Sequence, residues 1–269
     1  MILDCHIHSG APEQNNVNFL EKLNEAGIDG GIVFSKGSWQ NNNSDPDYNQ
    51  KRLEQVIDFV KISGNLYPFY YLDPTEPDAI GQVDNAITAG IRGFKVICRH
   101  FYPFDERAIP VWKHIASKNK PILFHSGILY SQTPSTDYNR PGNFDHLLNI
   151  DGLKFAMAHI SWPWIDECIA LFGKWNSNRN NLTSQLFIDI APGTPPIYRR
   201  DALTKLLTVG YVTFPKRILF GVDSSTHHYD SDYAKSVIER DNSIYDELNI
   251  SGAVRAQIYE KNLLEFIGY

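Results

Sequence analysis

Cysteine, long apolar runs and an excess of positive charge are all scarce in this chain, and each scarcity excludes a class of protein. The three cysteines are odd in number and show no CxxC spacing, which predicts reduced, buried thiols in a cytoplasmic protein. No apolar stretch approaches the roughly 18 residues of a membrane-spanning helix, and no secretory leader is expected at the N-terminus. The formal net charge of -6 offers no basic surface for nucleic acid or an anionic membrane. The expected partner is therefore a small-molecule substrate.

What the chain does contain is a repeated alternation of apolar, β-rich runs with amphipathic stretches. In the stretch 46–63, for example, Leu53, Val56 and Val60 recur at helical spacing. Strands that alternate with helices predict a parallel sheet, and eight such units predict an α/β fold, the (β/α)8 TIM barrel. Because no linker or low-complexity segment divides the sequence, a single domain over 1–269 is expected. The predicted strands are 2–8, 31–35, 66–72, 91–97, 121–126, 153–160, 185–190 and 217–223.

The most informative motif is His6-Ile7-His8, at the end of the first apolar run. Since alternate residues of a strand share a face, Asp4, His6 and His8 are predicted to point one way and Cys5 and Ile7 the other. Neutral imidazole is a common ligand of zinc, and two imidazoles on one face supply half of a tetrahedral site. Taken alone, the motif is equally compatible with a structural role.

Ionisable side chains also occur at or near the carboxyl ends of other predicted strands, which is where a TIM barrel carries its active site. Any one of them could be a hydrogen-bonded core residue. Their recurrence at the same end of independent strands favours a site, because each buried polar group needs a partner. They are Lys95 on strand 4, His125 on strand 5, His159 on strand 6, Asp189 on strand 7 and Asp223 on strand 8.

A metal centre follows from this set. His6, His8, His125 and Asp223 make three imidazoles and one carboxylate for a divalent metal, with a position left for water. A bound metal lowers the pKa of that water and polarises a substrate oxygen. Asp223 is then expected both to bind the metal and to accept a proton, while His159 acts beside it as acid, base or oxyanion stabiliser. The predicted cofactor is Zn²⁺ at a mononuclear site.

These motifs resemble those of the amidohydrolase superfamily, and within it the amidohydrolase-2 branch that includes aminocarboxymuconate-semialdehyde decarboxylase. The resemblance implies metal ligands at His6, His8, His125 and Asp223, with His159 contacting substrate or water. It does not identify the bond that is cleaved, since the branch includes hydrolases, lactonases and decarboxylases. The matching segments span almost the whole chain in the family's order: DCHIH, GFKV, ILFHSG, MAHIS, ILFGVDSS and IYEKNLLEFI.

Lys95 admits two roles within this resemblance. Its neighbours Phe94 and Val96 suit the side facing the helices, so Lys95 is predicted to point into the barrel. Some superfamily members carry a carbamylated lysine on strand 4 that bridges two metals, and burial that lowers a lysine pKa makes this feasible. In mononuclear members the lysine is not a ligand, which favours a role in binding a substrate anion or in structure. Asp189 is expected to accept a hydrogen bond rather than bind the metal.

Two pairs of residues after strands 4 and 7 are candidates for recognising a substrate carboxylate. Arg99 and His100 are predicted substrate contacts, as is Lys95. For Arg199 and Arg200, a solvated surface position is favoured instead.

An aromatic wall and two covering segments are also expected around the site. Trp162 follows His159 closely, so it is predicted to contact substrate. The segments 39–50 and 128–143 are long enough to cover the site.

Three functions agree with these residues. The first is a metal-dependent hydrolase, in which metal-activated water attacks an amide, ester or lactone of a small carboxylated substrate. The alternative is a non-oxidative decarboxylase of a small unsaturated or aromatic acid. The third is a binding protein whose metal is structural or absent. Hydrolysis is favoured because no single loop arginine is committed to a substrate carboxylate. Homo-oligomer formation stays open, since barrels often pair through outer helices.

Overall fold

In the described part of the chain, nine parallel strands form one curled sheet, in which the first eight lie in chain order and the ninth lies beside the first. The computed structural model describes residues 1–10, 16–41, 44–211 and 213–269. Parallel strands joined through helices give the predicted α/β barrel. The strands are β1 (Leu3–His8), β2 (Gly30–Phe34), β3 (Leu66–Tyr71), β4 (Gly93–Val96), β5 (Pro121–Phe124), β6 (Lys154–Met157), β7 (Gln185–Asp189), β8 (Ile218–Leu219) and β9 (Ser224–Ser225).

The last two strands together close the barrel. Leu219 of β8 pairs with Asp189 of β7, whereas Ser224 of β9 pairs with Ile7 of β1. Between them lies Asp223, whose φ of 58° falls in the left-handed region that a regular strand excludes. The predicted eighth strand is therefore present but split, and the split occurs at a candidate metal ligand.

The helices cover the outside of the sheet. In the second helix, for example, the buried side chains Leu53, Val56 and Phe59 recur at three-residue spacing and face the barrel. A 3-10 helix, Pro141–Asn149, replaces an α-helix between β5 and β6, and a π-helical turn, Gln257–Lys261, joins the last two helices. No helix in the described ranges has the length and apolar character needed to cross a membrane. The α-helices are α1 (Asn16–Glu25), α2 (Tyr48–Val60), α3 (Ala79–Thr88), α4 (Ala108–Ser117), α5 (Ile165–Asn178), α6 (Pro196–Thr208), α7 (Ser231–Glu247), α8 (Gly252–Ala256) and α9 (Asn262–Ile267).

The core has two layers because the strands are covered on both faces. The outer layer packs between the sheet and the helices, and the inner layer fills the barrel with side chains such as Phe69, Leu123 and Phe187. Phe266 of α9 joins the inner layer and contacts both Phe69 and Phe187. The fold therefore has its open pocket at the opposite, carboxyl end of the strands.

The first strand departs from the predicted alternation. A register shift interrupts the pairing of β1 with β2 after Asp4. Cys5 consequently packs with the inner layer, whereas the carboxylate of Asp4 accepts hydrogen bonds from the backbone amide of His6 (2.8 Å) and from the hydroxyl of Tyr229 in the outer layer (3.4 Å). The prediction that Asp4 shares a face with His6 and His8 is wrong, because an irregularity in pairing shifts the alternation of side chains.

The prediction of a solvated Arg199 is also wrong. Its buried guanidinium donates to both carboxylate oxygens of Asp241, at 2.9 and 2.6 Å, and to the carbonyl of Ile190 at 2.6 Å. The paired, fully hydrogen-bonded charge joins α6, α7 and the end of β7. Arg200 alone is exposed, and it pairs with Glu247. The partner that allows Arg199 to be buried lies far along the chain, so local sequence did not reveal it.

We expect Arg199→Met to lower the free energy of unfolding by about 3–5 kcal/mol, because it leaves the buried Asp241 carboxylate without its partner. Urea denaturation followed by circular dichroism measures this loss. The control Arg200→Met removes an exposed pair and should cost less than about 1 kcal/mol. The double variant Arg199→Met/Asp241→Leu should recover much of the loss. Equal stability of the two single variants would contradict the prediction.

Candidate active site

A cavity of about 300 Å³ opens at the carboxyl end of the barrel. Its lining contains polar and apolar residues, which we call the polar half and the apolar half of the wall. The polar half comes from the ends of β1, β5 and β6, from β4, and from the break between β8 and β9. It consists of His6, His8, Lys95, His125, His159 and Asp223, all of which the sequence placed at this end.

Three of these side chains form the tightest group. One potential ligand atom each from His6, His159 and Asp223 lie within 4.8 Å of one another. His8 extends the group, since its Nε2 lies 3.2 Å from Oδ1 of Asp223. Although burial raises it, the adjacent imidazole of His6 and the hydrogen bond from His8 hold the pKa of Asp223 well below its usual range. The centre of the site is thus a carboxylate surrounded by imidazoles.

His6 is oriented by a carboxylate behind it. Its Nδ1–H donates to Oδ2 of Asp189 at 2.6 Å, which leaves Nε2 facing the other site residues. Burial lowers the pKa of His6 well below its usual range and raises that of Asp189. The neutral imidazole is the form that binds metal, and a carboxylate on the far nitrogen is the usual means of orienting it. Asp189 therefore has the hydrogen-bonding position that the sequence predicts.

Lys95 lies beside the same imidazole. Its side chain is fully buried, and Nζ donates to Nε2 of His6 at 3.3 Å and lies 4.8 Å from the centre of the Phe34 ring. Burial lowers the pKa of Lys95 to about 8. The side chain points into the barrel, as the alternation of β4 predicts, and supplies the pocket with a primary amine.

His125 lies in the wall but outside the tightest group. Its Nε2–H donates to the carbonyl of Ile128 at 3.2 Å, and its ring centre is 5.0 Å from that of His159. Burial lowers the pKa of His125 well below its usual range, so this imidazole is neutral as well. The structure thus brings His159 into the position nearest to His6 and Asp223, although the sequence favoured His125 as the ligand.

An unusual backbone turn places His159. Three successive residues, His159, Ile160 and Ser161, have φ values of 59°, 48° and 54°. This left-handed conformation is costly for residues other than glycine and is concentrated at functional sites. The turn is held by hydrogen bonds, since Nδ1–H of His159 donates to the carbonyl of Ala191 at 3.2 Å and Ser161 contacts Ser126 at 2.8 Å.

Gly193 lies directly against this histidine. A Cβ added at Gly193 would lie 2.7 Å from Cβ of His159, a distance that real side chains do not tolerate. Glycine at position 193 therefore leaves the space that the side chain of His159 occupies. Sequence reasoning missed Gly193; its only signal was the Pro-Gly pair directly after a predicted strand.

Because the sequence predicts a catalytic role for His159, we expect Gly193→Ala to lower kcat about 100-fold, the effect of a displacement of about 1 Å at a catalytic group. Metal content should change little. Steady-state kinetics and metal analysis measure the two quantities. Gly252→Ala is the control, since a Cβ at Gly252 meets no atom within 4 Å. Unchanged kcat in Gly193→Ala would show that His159 does not need this position.

The apolar half of the wall includes Trp162, as predicted. Trp162 stacks on Tyr198, with ring centres 4.9 Å apart. The predicted cover 128–143 contributes its first three residues to the wall. In the other predicted cover, 39–50, residues 42–43 lie outside the described part of the chain, and Trp39 contacts Tyr71 edge-on at 5.0 Å.

Arg99 and His100 do not line the cavity. Arg99 lies over the Trp39 ring and donates to Thr133 at 3.1 Å. His100 is exposed, and its Nε2 lies 3.5 Å from Asp73. The prediction that these two residues contact substrate therefore has no support from the lining of the cavity.

No protein-family model matches the sequence, and a comparison with curated proteins finds no match. Solved structures, however, share the fold. Dihydroorotase from Campylobacter jejuni is 14% identical with a TM-score of 0.61, covering 100% of this chain and 83% of that one. An enamidase described as a member of the amidohydrolase superfamily is 13% identical with a TM-score of 0.70, covering 99% and 67%. Amidohydrolase 2 from Bifidobacterium longum subsp. infantis is 12% identical with a TM-score of 0.56, covering 99% and 98%.

At identities this low, the comparison establishes the fold alone. It confirms the barrel fold that the sequence predicts. This chain therefore has the fold of the solved amidohydrolase-superfamily structures.

Proposed function

We propose that this chain is a metal-dependent hydrolase that cleaves an amide, ester or lactone of a small carboxylated substrate. The observation that most directly supports this proposal is the close group of His6, His159 and Asp223, whose ligand atoms lie within 4.8 Å of one another in the wall of an open cavity. Similar solved structures include a dihydroorotase, an enamidase and a dihydropyrimidinase, which supports hydrolysis as the class of reaction.

The donor set suits a borderline divalent cation such as Zn²⁺, which binds neutral imidazole and carboxylate. We propose that His6, His8, His125 and Asp223 hold one such ion. Two features of the chain support this. His6 is neutral and oriented by Asp189, and the pKa of Asp223 is held low, so that both donors are in their binding forms.

Lys95 sets a condition on metal binding. Its Nζ donates a hydrogen bond to Nε2 of His6 and so occupies the lone pair that a metal would use. Metal binding therefore requires Lys95 to give up this contact. The freed amine can then bind an anionic group of the substrate, or be carbamylated and become a ligand itself. We favour the first role with a single metal ion.

When bound, the metal ion lowers the pKa of water and polarises a substrate carbonyl. The residues of the chain supply the remaining chemistry. Asp223, held ionised, accepts a proton from the attacking water. His159 donates through Nδ1–H to Ala191, which leaves the lone pair of Nε2 to take up the proton from Asp223. Once protonated, Nε2 can pass that proton to the leaving group or stabilise negative charge.

Decarboxylation remains a second candidate because of Lys95. A buried amine next to an apolar wall can bind a substrate carboxylate and place it in surroundings that disfavour its charge. The same donor set and the same cavity serve both reactions.

A screen of zinc-loaded protein separates these functions. Lactones, esters, amides and unsaturated acids are incubated with the protein while acid release and carbon dioxide are measured. Hydrolysis predicts acid release without carbon dioxide, loss of activity with a chelator and recovery with Zn²⁺. Carbon dioxide release would favour the decarboxylase instead. Absence of both metal and turnover would favour a binding protein.

A further inference from the structure

The apolar half of the cavity continues outward into exposed aromatic side chains. Trp162 lines the cavity, and its ring stacks on Tyr198 with an interplanar angle of 27°. Tyr198, in the first turn of α6, is 49% exposed. Tyr130, on the connection after β5, is 78% exposed and also lines the cavity. Aromatic surface left open beside a site is the part that gains most from burial by a ligand.

The position of Trp162 is fixed before any ligand arrives. Its carbonyl accepts a hydrogen bond from the amide of Ile128 at 2.7 Å, and its amide donates to the carbonyl of His159 at 3.0 Å. Gly127 packs so closely against this carbonyl that a Cβ has no room there. Because the stack with Tyr198 holds the ring as well, binding against Trp162 costs little ordering entropy.

The neighbouring wall limits what can bind against this ring. Ile97, Leu129 and Pro192 line the same half and offer no polar side-chain atom. A polar substituent placed there would lose its hydrogen bonds to water without replacement. The buried amine of Lys95 lines the same cavity and belongs to its polar lining residues.

We propose that Trp162, backed by Tyr198, is a specificity-determining residue that selects substrates carrying a flat, apolar aromatic ring next to the reacting group. The ring packs against Trp162 while the anionic or reacting group faces Lys95 and the histidines. The location of the reacting bond rests on the proposed function. Ring selection does not, since it depends only on the shape and chemistry of the apolar half.

Binding of two matched acids tests this selection without turnover. Benzoate and cyclohexanecarboxylate have the same charge and carbon count, but only benzoate is flat and aromatic. Titration calorimetry with zinc-loaded protein should show benzoate binding about three- to tenfold more tightly, the range expected for an aromatic pair. Trp162→Leu should reduce this ratio to less than about twofold, and Tyr198→Leu should reduce it in part.

Trp164→Leu is the matched control, because Trp164 flanks Pro163 on the other side and faces Arg140 rather than the cavity. It should keep the ratio of the unmodified protein. Trp162→Phe retains a ring and should keep part of the ratio if Trp162→Leu fails to fold. Equal binding of the two acids to the unmodified protein, or an unchanged ratio in Trp162→Leu, would overturn the inference. If the unmodified protein prefers benzoate as expected but hydrolyses no compound in the screen, only the proposed function is overturned.

Discussion

Replacing His6 or Asp223 with alanine should abolish turnover and remove the bound metal, while the barrel remains folded. His6 is the donor that Asp189 orients, and Asp223 is the carboxylate at the centre of the imidazole group. Changes in residues that only support a ligand already cost 10- to 100-fold in metal affinity. Loss of a ligand itself should therefore cost more than about 100-fold.

The fold should survive because neither side chain belongs to the apolar core. The side chain of Asp223 lines the cavity and is 32% exposed, so its removal leaves the packing of both layers in place. His6→Ala removes the hydrogen bond to Oδ2 of the buried Asp189, whose Oδ1 keeps the bond from the amide of Ala191. This loss costs about 1–3 kcal/mol and lowers Tm without unfolding the barrel. Metal analysis and thermal denaturation by circular dichroism measure the two effects separately.

The control for this pair is His227→Ala, which removes an exposed histidine outside the cavity wall. It should retain metal, turnover and Tm. One metal ion per chain in both His6→Ala and Asp223→Ala would refute the proposed ligand set, whatever the activity.

His159→Asn should retain zinc but lower kcat by about 10²–10⁴-fold, the usual contribution of a general acid or base. An asparagine amide can still donate to the carbonyl of Ala191, which now accepts from the imidazole, but it cannot transfer a proton. Metal content and steady-state kinetics on the best substrate of the screen measure the outcome.

His125→Asn is the informative counterpart, because the motif resemblance favours His125 as the metal ligand whereas the structure places His159 closer to His6 and Asp223. His159 lies in the close group with His6 and Asp223, whereas Nε2–H of His125 donates to the carbonyl of Ile128. If His125 is the ligand, His125→Asn should lose zinc and His159→Asn should keep it. The reverse result would exchange the two roles.

Local pattern was sufficient to predict the barrel and the end at which its site lies. Strand and helix periodicities depend on neighbours a few residues away, and each strand needs apolar residues whatever its partner. The ionisable residues at strand ends were recognisable for the same reason, since Lys95, His125 and Asp223 each interrupt an apolar run. The parallel topology then places these ends together.

Position after a strand did not reveal which of the following residues face the cavity. Arg99 and His100 follow β4 but lie outside the wall, whereas Tyr198 stacks on Trp162 from the first turn of α6. Loop direction depends on contacts that the loop makes with other loops, such as that of Arg99 with Thr133. These contacts have no signature at the sequence positions themselves.

The sequence by itself determined the architecture, the donor types and their common end of the barrel. Only the tertiary structure decided the irregular pairing that separates Asp4 from the histidines, and only it decided the burial of Arg199. The contact of Gly193 with His159 also appears only in the folded chain. The physical reason is range: periodicity is a property of adjacent residues, whereas these features arise between segments that only folding brings together.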